Sequence, residues 1–123
     1  MKELFEAMVL NRKKCPWAQG RTMKQHVLEL ESEVKELKEG IEANDVENIK
    51  EELGDVFWDA VFIGVLAEEK GLFTMKEMFE EANRKFKGRK PWVFGNEKVA
   101  SAEEAIKRWN EIKVEEKKSK SQR

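Results

Sequence analysis

Val46-Glu47-Asn48-Ile49-Lys50-Glu51-Glu52-Leu53-Gly54-Asp55-Val56-Phe57-Trp58-Asp59-Ala60-Val61-Phe62-Ile63-Gly64-Val65-Leu66 sets the expected architecture of this chain. Its first half, to Asp55, is amphipathic, with Ile49 and Leu53 on one side of a helix. Its second half is apolar almost all round, and such a helix needs partners on every face. Two antiparallel helices cannot supply them. The expected fold is therefore all-α, a helical bundle completed by dimerisation. Asp59 sits inside the apolar run, where an isolated carboxylate is costly. Two readings stand for it: a cation across the subunit interface, or a metal ion shared with Asp55 one turn earlier.

Outward from this segment the chain reads as helical throughout. Leu4, Phe5, Met8 and Val9 recur at helical spacing, which predicts a helix over about 2–13. Cys15-Pro16-Trp17 breaks it, and a loop leads to Thr22, a candidate N-cap. A helix over 23–42 follows, with Val27, Leu30, Val34, Leu37 and Ile41 as its apolar stripe; Gly40 weakens its end and Asn44-Asp45 makes the turn. The central helix is expected over 46–70, stopping at Gly71. Thr74-Met75-Lys76-Glu77 is a capping-box pattern opening a helix to about Lys87. Residues 88–99, with Pro91, Gly95 and Asn96, read as an extended loop. Ser101-Ala102-Glu103-Glu104 is a second capping box, starting a last helix to about Glu116. The expected organisation is a single domain over 1–117 and a disordered polar tail over 118–123.

Composition narrows the function. With 123 residues, one domain is expected. The 24 basic and 25 acidic side chains give a formal charge of −1, which offers no electrostatic case for nucleic acid or a membrane surface. A charged fraction of 40% leaves fewer apolar residues for an internal core and favours burying a second surface in an oligomer. Cys15 is the sole cysteine, and Met1-Lys2-Glu3-Leu4 has no apolar signal, so a reducing cytoplasm is the expected setting.

Chemistry concentrates in two acidic patterns. Glu33 and Glu36 are three residues apart, as are Glu52 and Asp55, and each spacing puts two carboxylates on one helix face. Side by side, the two helices would bring four acids to one point. Such acids repel unless a cation sits among them, and hard oxygen ligands select Mg²⁺ or Mn²⁺. Gly54, inside a helix at a cost of about 1 kcal/mol relative to alanine, suggests close approach of a helix or ligand. The duller readings are a solvated acidic face and a packing role for Trp17, Trp58 and Trp92. His26 reads as structural or exposed, and Cys15 as a turn residue, since no histidine base accompanies it.

The order of segments resembles the MazG family of nucleoside triphosphate pyrophosphohydrolases. The family's opening Cys-Pro-Trp-Asp, then Gln-Thr, appears as Cys15-Pro16-Trp17-Ala18, then Arg21-Thr22. Its Glu-Glu-x-x-Glu appears as Ser32-Glu33-Val34-Lys35-Glu36, and its Glu-x-x-Asp as Glu52-Leu53-Gly54-Asp55 after Glu51. The Arg-Arg-His-Pro-His-Val-Phe segment appears as Gly88-Arg89-Lys90-Pro91-Trp92-Val93-Phe94, and a terminal Trp-x-x-x-Lys as Trp109 to Lys113. The resemblance implies Mg²⁺, or Mn²⁺ in its place, bound by Glu33, Glu36, Glu52 and Asp55; Asp59, one turn beyond Asp55, is an additional candidate from its position alone. It implies Lys85 and Arg89 near the phosphates, against the duller reading that they pair with Glu81 or Glu77, and Trp109 and Lys113 near the nucleotide. The implied assembly is a tight homodimer, often a dimer of dimers, and the implied substrate is an NTP or dNTP cleaved to the monophosphate and pyrophosphate. Water attack at the α-phosphorus would then be oriented by Glu51 or by another acid of the cluster. Lys85 and Arg89 would stabilise the leaving pyrophosphate. Ser32, Ala18, Arg21, Lys90 and Trp92 depart from the family pattern, which puts base preference in question more than metal binding. Two alternatives stay open: a related all-α phosphohydrolase with another nucleotide substrate, and a non-catalytic helical dimer that binds a protein partner.

Overall fold

The computed structural model describes residues 2–121, and among them every regular element is a helix. The helices are α1 (Lys2–Lys14), α2 (Pro16–Gln19), α3 (Met23–Glu42), α4 (Val46–Glu69), α5 (Met75–Gly88), α6 (Pro91–Phe94) and α7 (Ala102–Ser121). The all-α expectation holds. Two of the expected loops contain short helical turns, α2 and α6, each opening on a proline at its first turn. Proline there lacks only an N–H that the turn does not use, and its fixed φ suits a helix. At the far end α7 continues to Ser121, past the expected stop at Glu116 and through part of the polar tail. Positions 122 and 123 lie outside the described residues.

The boundaries follow local chemistry. Thr22 caps α3 in a complete box: its Oγ1 accepts from Gln25 N (3.2 Å), and Gln25 Oε1 accepts from Thr22 N (3.0 Å). Asp45 caps α4 by accepting from Asn48 N (3.2 Å), after Asn44 turns the chain with a φ of 54°. Gly71, at φ 71°, ends α4, and Leu72 N donates to Ala67 O (3.1 Å). This left-handed position is the one glycine fills without strain. Ser101 Oγ accepts from Glu104 N (3.2 Å), while the Glu104 carboxylate reaches back to Ala100 N (2.8 Å).

The described chain forms two compact units, the first ending at Met75 and the second beginning at Lys76. In the first, α3 and α4 pack along each other, and α1 packs on α4. The second half of α4 supplies the core: Val61, Phe62, Val65, Leu66 and Ala67 are buried. Ala18, Phe62 and Leu66 form its centre, with Met8, Cys15, Met23 and Trp58 packed against them. Gly64 is buried against Met75, whose sulfur occupies the place a Cβ would take.

The apolar stripe expected on α3 coincides only in part with its packing face, which takes Leu30 and Leu37. Val27, Val34 and Ile41 are exposed (46%, 49% and 55%). The face turned inward carries His26, Leu30, Glu33, Leu37 and Gly40, at spacings of three and four residues. Polar groups therefore line the α3–α4 seam. Gly40 is buried, and a Cβ there would come within 3.0 Å of the Asn48 side chain. At Gly54 no other element of this chain approaches, since a Cβ there would meet nothing within 4 Å among its atoms.

In the second unit, α7 buries Ile112, and the Phe86 and Phe94 rings meet edge to face at 5.9 Å. Arg108 pairs with Glu97 (3.0 Å), which ties α7 to the segment before it.

Candidate active site

The three-residue connection between α3 and α4 forces the helices antiparallel, and their acidic faces then meet. Glu33, Glu36 and Glu52 each offer an oxygen within 4.8 Å of the others, and Glu51, Glu52 and Asp55 do likewise. Glu52 belongs to both groups and is 8% exposed. Glu33 is half-buried, while Glu36 and Glu51 are exposed. Oε2 of Glu33 and Oε2 of Glu52 are buried with no hydrogen-bond partner. Buried carboxylate oxygens left without a donor are uncommon in folded chains, since each has lost its water.

Electrostatics reflect this crowding. The Glu52 carboxyl is pushed above its ordinary range, first because its contact with Glu33 favours the protonated form, then by burial. Glu36 is raised chiefly by its contact with Glu52 and the repulsion between them. For Glu33 the hydrogen bond with Glu52 works downward, but burial and the charges of Glu36, Asp55 and Asp59 outweigh it, so it too is raised. Acids this close resist full ionisation unless positive charge enters. All-oxygen donors in a tight cluster, two of them buried and unpartnered, fit a hard divalent cation such as Mg²⁺ or Mn²⁺.

Asp59 has a partner that neither sequence reading foresaw. His26 Nε2 lies 2.8 Å from Asp59 Oδ1, and both side chains are essentially sealed from water (0% and 2% exposed). Neither an ion nor a cation from another subunit is needed to explain the buried acid. Asp59 also lies outside both acid groups that could share an ion among the described residues. Burial pushes its carboxyl upward, against the opposing pull of His26. The rings of Trp17, Trp58 and Phe62 surround the imidazole at 6.4, 5.8 and 4.6 Å. A signal for the pair was present in the sequence. His26 precedes Glu33 by seven residues and Asp59 follows Glu52 by seven, so an antiparallel register that opposes the glutamates also opposes His26 to Asp59. Trp58 has a second connection: its indole Nε1–H donates to Asp55 Oδ1 at 3.2 Å.

The basic and aromatic candidates belong to the second unit. Arg89 donates to Glu116 Oε2 through Nη2 (2.8 Å) and Nε (3.2 Å), which holds the Glu116 carboxyl below its usual range. Its guanidinium also lies over the Trp109 ring at 5.4 Å. Reading Lys85 and Arg89 as partners of Glu77 or Glu81 on their own helix missed this link. Glu81 is instead taken by Arg84 (2.7 Å), which pulls its carboxyl down to about 2. Glu116 lies on the α7 face that also carries Trp109 and Lys113, at spacings of four and three residues. Trp109 lines a cavity of about 380 Å³ with Lys90, Trp92, Ala105 and Ile106. Lys90 Nζ sits 4.9 Å from the Phe86 ring centre and 5.9 Å from that of Trp109. Lys85 and Lys113 are half-buried.

Known proteins share this arrangement of segments. A profile of the MazG nucleotide pyrophosphohydrolase domain matches residues 21–94. The chain is 30% identical over 108 residues to a nucleoside triphosphate pyrophosphohydrolase of Escherichia coli K12, covering 88% of this chain and 41% of that protein. It is 37% identical over 127 residues to the nucleoside triphosphate pyrophosphohydrolase/pyrophosphatase MazG of Thermotoga maritima, covering 98% of this chain and 48% of that protein. The chain thus spans less than half the length of these curated relatives. The crystal structure of a mazG-related protein from Thermotoga maritima superposes with a TM-score of 0.82 at 32% identity, over 93% of this chain and 99% of that one.

Proposed function

Because this chain belongs to the MazG nucleotide pyrophosphohydrolase family, we propose that it is a divalent-cation-dependent nucleoside triphosphate pyrophosphohydrolase, releasing a nucleoside monophosphate and pyrophosphate. The observation that supports this reading is the meeting of the α3 and α4 acids on Glu52, whose Oε2, like Oε2 of Glu33, is buried without a donor. Glu33, Glu36, Glu52 and Asp55 would hold Mg²⁺, or Mn²⁺ in its place. Once bound, the ion supplies the positive charge that lets an acidic site accept a polyphosphate.

The chain's own residues divide the remaining work. Glu51 is exposed beside Glu52 and Asp55, where a carboxylate can orient a water and accept its proton as it attacks the α-phosphorus. Lys85 and Arg89 stabilise charge on the departing pyrophosphate. Trp109 offers a face for the base, and Lys113 one turn on offers a donor to the nucleotide. Arg89 must exchange its contact with Glu116 for the phosphate or keep both, since its fork carries more donors than one carboxylate uses.

A homodimer is part of the proposal. Val27, Val34 and Ile41 of α3 are exposed, as are Leu53 and Phe57 of α4. Exposed apolar side chains on two neighbouring helices are what a second copy would cover. Analytical ultracentrifugation should give twice the chain mass of 14.4 kDa; a monomer at micromolar concentration removes this part of the reading. No described helix is long and apolar enough to cross a membrane.

The activity is tested by pyrophosphate release from the canonical and several damaged triphosphates, with Mg²⁺, with Mn²⁺ and with chelator. Release from at least one triphosphate, abolished by chelator, is the expected outcome. A flat panel combined with no ion-linked rise in Tm would favour the non-catalytic helical module instead.

A further inference from the structure

Asp55 differs from the other acids of the cluster in having a side-chain donor. The Trp58 indole N–H reaches its Oδ1 at 3.2 Å, whereas Glu33 Oε2 and Glu52 Oε2 have no partner. Trp58 is itself held on several sides. Its ring is tilted against His26 at 5.8 Å, and it packs on the core formed by Ala18, Phe62 and Leu66. His26 is fixed in turn by Asp59 at 2.8 Å and by Phe62 at 4.6 Å. The donor is therefore anchored to the buried core of the first unit. A carboxylate at a helix surface otherwise rotates freely about its last bonds, and orienting it before an ion arrives removes that entropy from the binding step.

We propose that Trp58 is a positioning residue for the acidic site: its indole N–H fixes one oxygen of Asp55 and leaves the other presented to a divalent cation. The proposal rests on the cation-binding reading of the cluster and extends it to a residue with no charge of its own. Outer-sphere hydrogen bonds of this kind typically change ion affinity about 10–100-fold when removed. Trp58 does not touch the reacting atoms and acts only through Asp55.

The test is Trp58→Phe, which keeps an aromatic ring against His26 and deletes the donor. Mn²⁺ binding is measured by calorimetry on the ion-free protein, together with Tm in chelator. About a 10-fold weaker Mn²⁺ affinity, with the ion-free Tm within about 2 °C of the parent, is the expected result. Unchanged affinity overturns the proposal. Weaker affinity accompanied by a clear fall in ion-free Tm overturns it as well, by making Trp58 a packing residue whose loss disturbs the site. A parent protein that binds no Mn²⁺ is a different failure, since it removes the cation site itself.

Discussion

Glu52→Gln abolishes turnover, lowering it by more than about 100-fold, beyond what losing an outer-sphere partner costs. Glu52 is singled out because both acid groups contain it, so its neutralisation damages either one. Glutamine keeps the volume and one carbonyl oxygen but brings an N–H₂ group into a site built for cations. The ion-free protein should not suffer. Glu33, Glu36 and Glu52 all have carboxyls raised above the ordinary value of 4.5, so the fold prefers their protonated forms. Their contribution to stability is greatest below the unfolded value and is lost as pH rises through the raised range. Removing one charge relieves that loss, and the ion-free Tm of Glu52→Gln at neutral pH should match or exceed the parent's. Initial-rate assays and thermal melts with and without Mg²⁺ check both halves. Retained activity would remove Glu52 from the site, and a large fall in ion-free Tm would show that its role is structural.

His26→Ala unfolds far more easily than the parent. The substitution leaves the Asp59 carboxyl sealed from water with no partner and opens a hole among Trp17, Trp58 and Phe62. Breaking a buried pair by removing one member costs about 3–5 kcal/mol. Domains of this size are stable by only about 5–15 kcal/mol, so the midpoint should fall by more than about 10 °C. Replacing both members with leucine should recover much of that loss, because no charge is then stranded. Urea denaturation of the parent, His26→Ala and the double leucine variant reads the difference. A double variant no better than His26→Ala would mean that the stranded Asp59 charge is not the source of the cost.

These outcomes bear on how far the sequence could be read. Helix identity and most boundaries were legible because they depend on local chemistry: Thr22 and Asp45 cap, Gly71 stops α4, and the apolar run of α4 is buried as its composition requires. The acid pairs were legible because a three-residue spacing fixes a shared face whatever the surroundings. Tertiary choices were harder. Of the stripe expected on α3, Leu30 and Leu37 turn inward while Val27, Val34 and Ile41 stay exposed, because the helix turns His26 and Glu33 toward α4. Hydrophobic periodicity reports which face seeks cover, not which neighbour supplies it. Asp59 was recognised as anomalous, but its partner emerges only from the register between two helices. Pro16 and Pro91 were read as breakers, although proline also opens helical turns, as both do here. The contact of Arg89 with Glu116, 27 residues away, leaves no local trace in the sequence.

Crystals grown in Mn²⁺ and measured at its absorption edge test whether the seam between α3 and α4 is a cation site. The account requires an anomalous peak beside Glu52, about 2.0–2.2 Å from its oxygen, with further ligands drawn from Glu33, Glu36 and Asp55. A map with no peak there, and with these side chains turned apart into solvent, would contradict it.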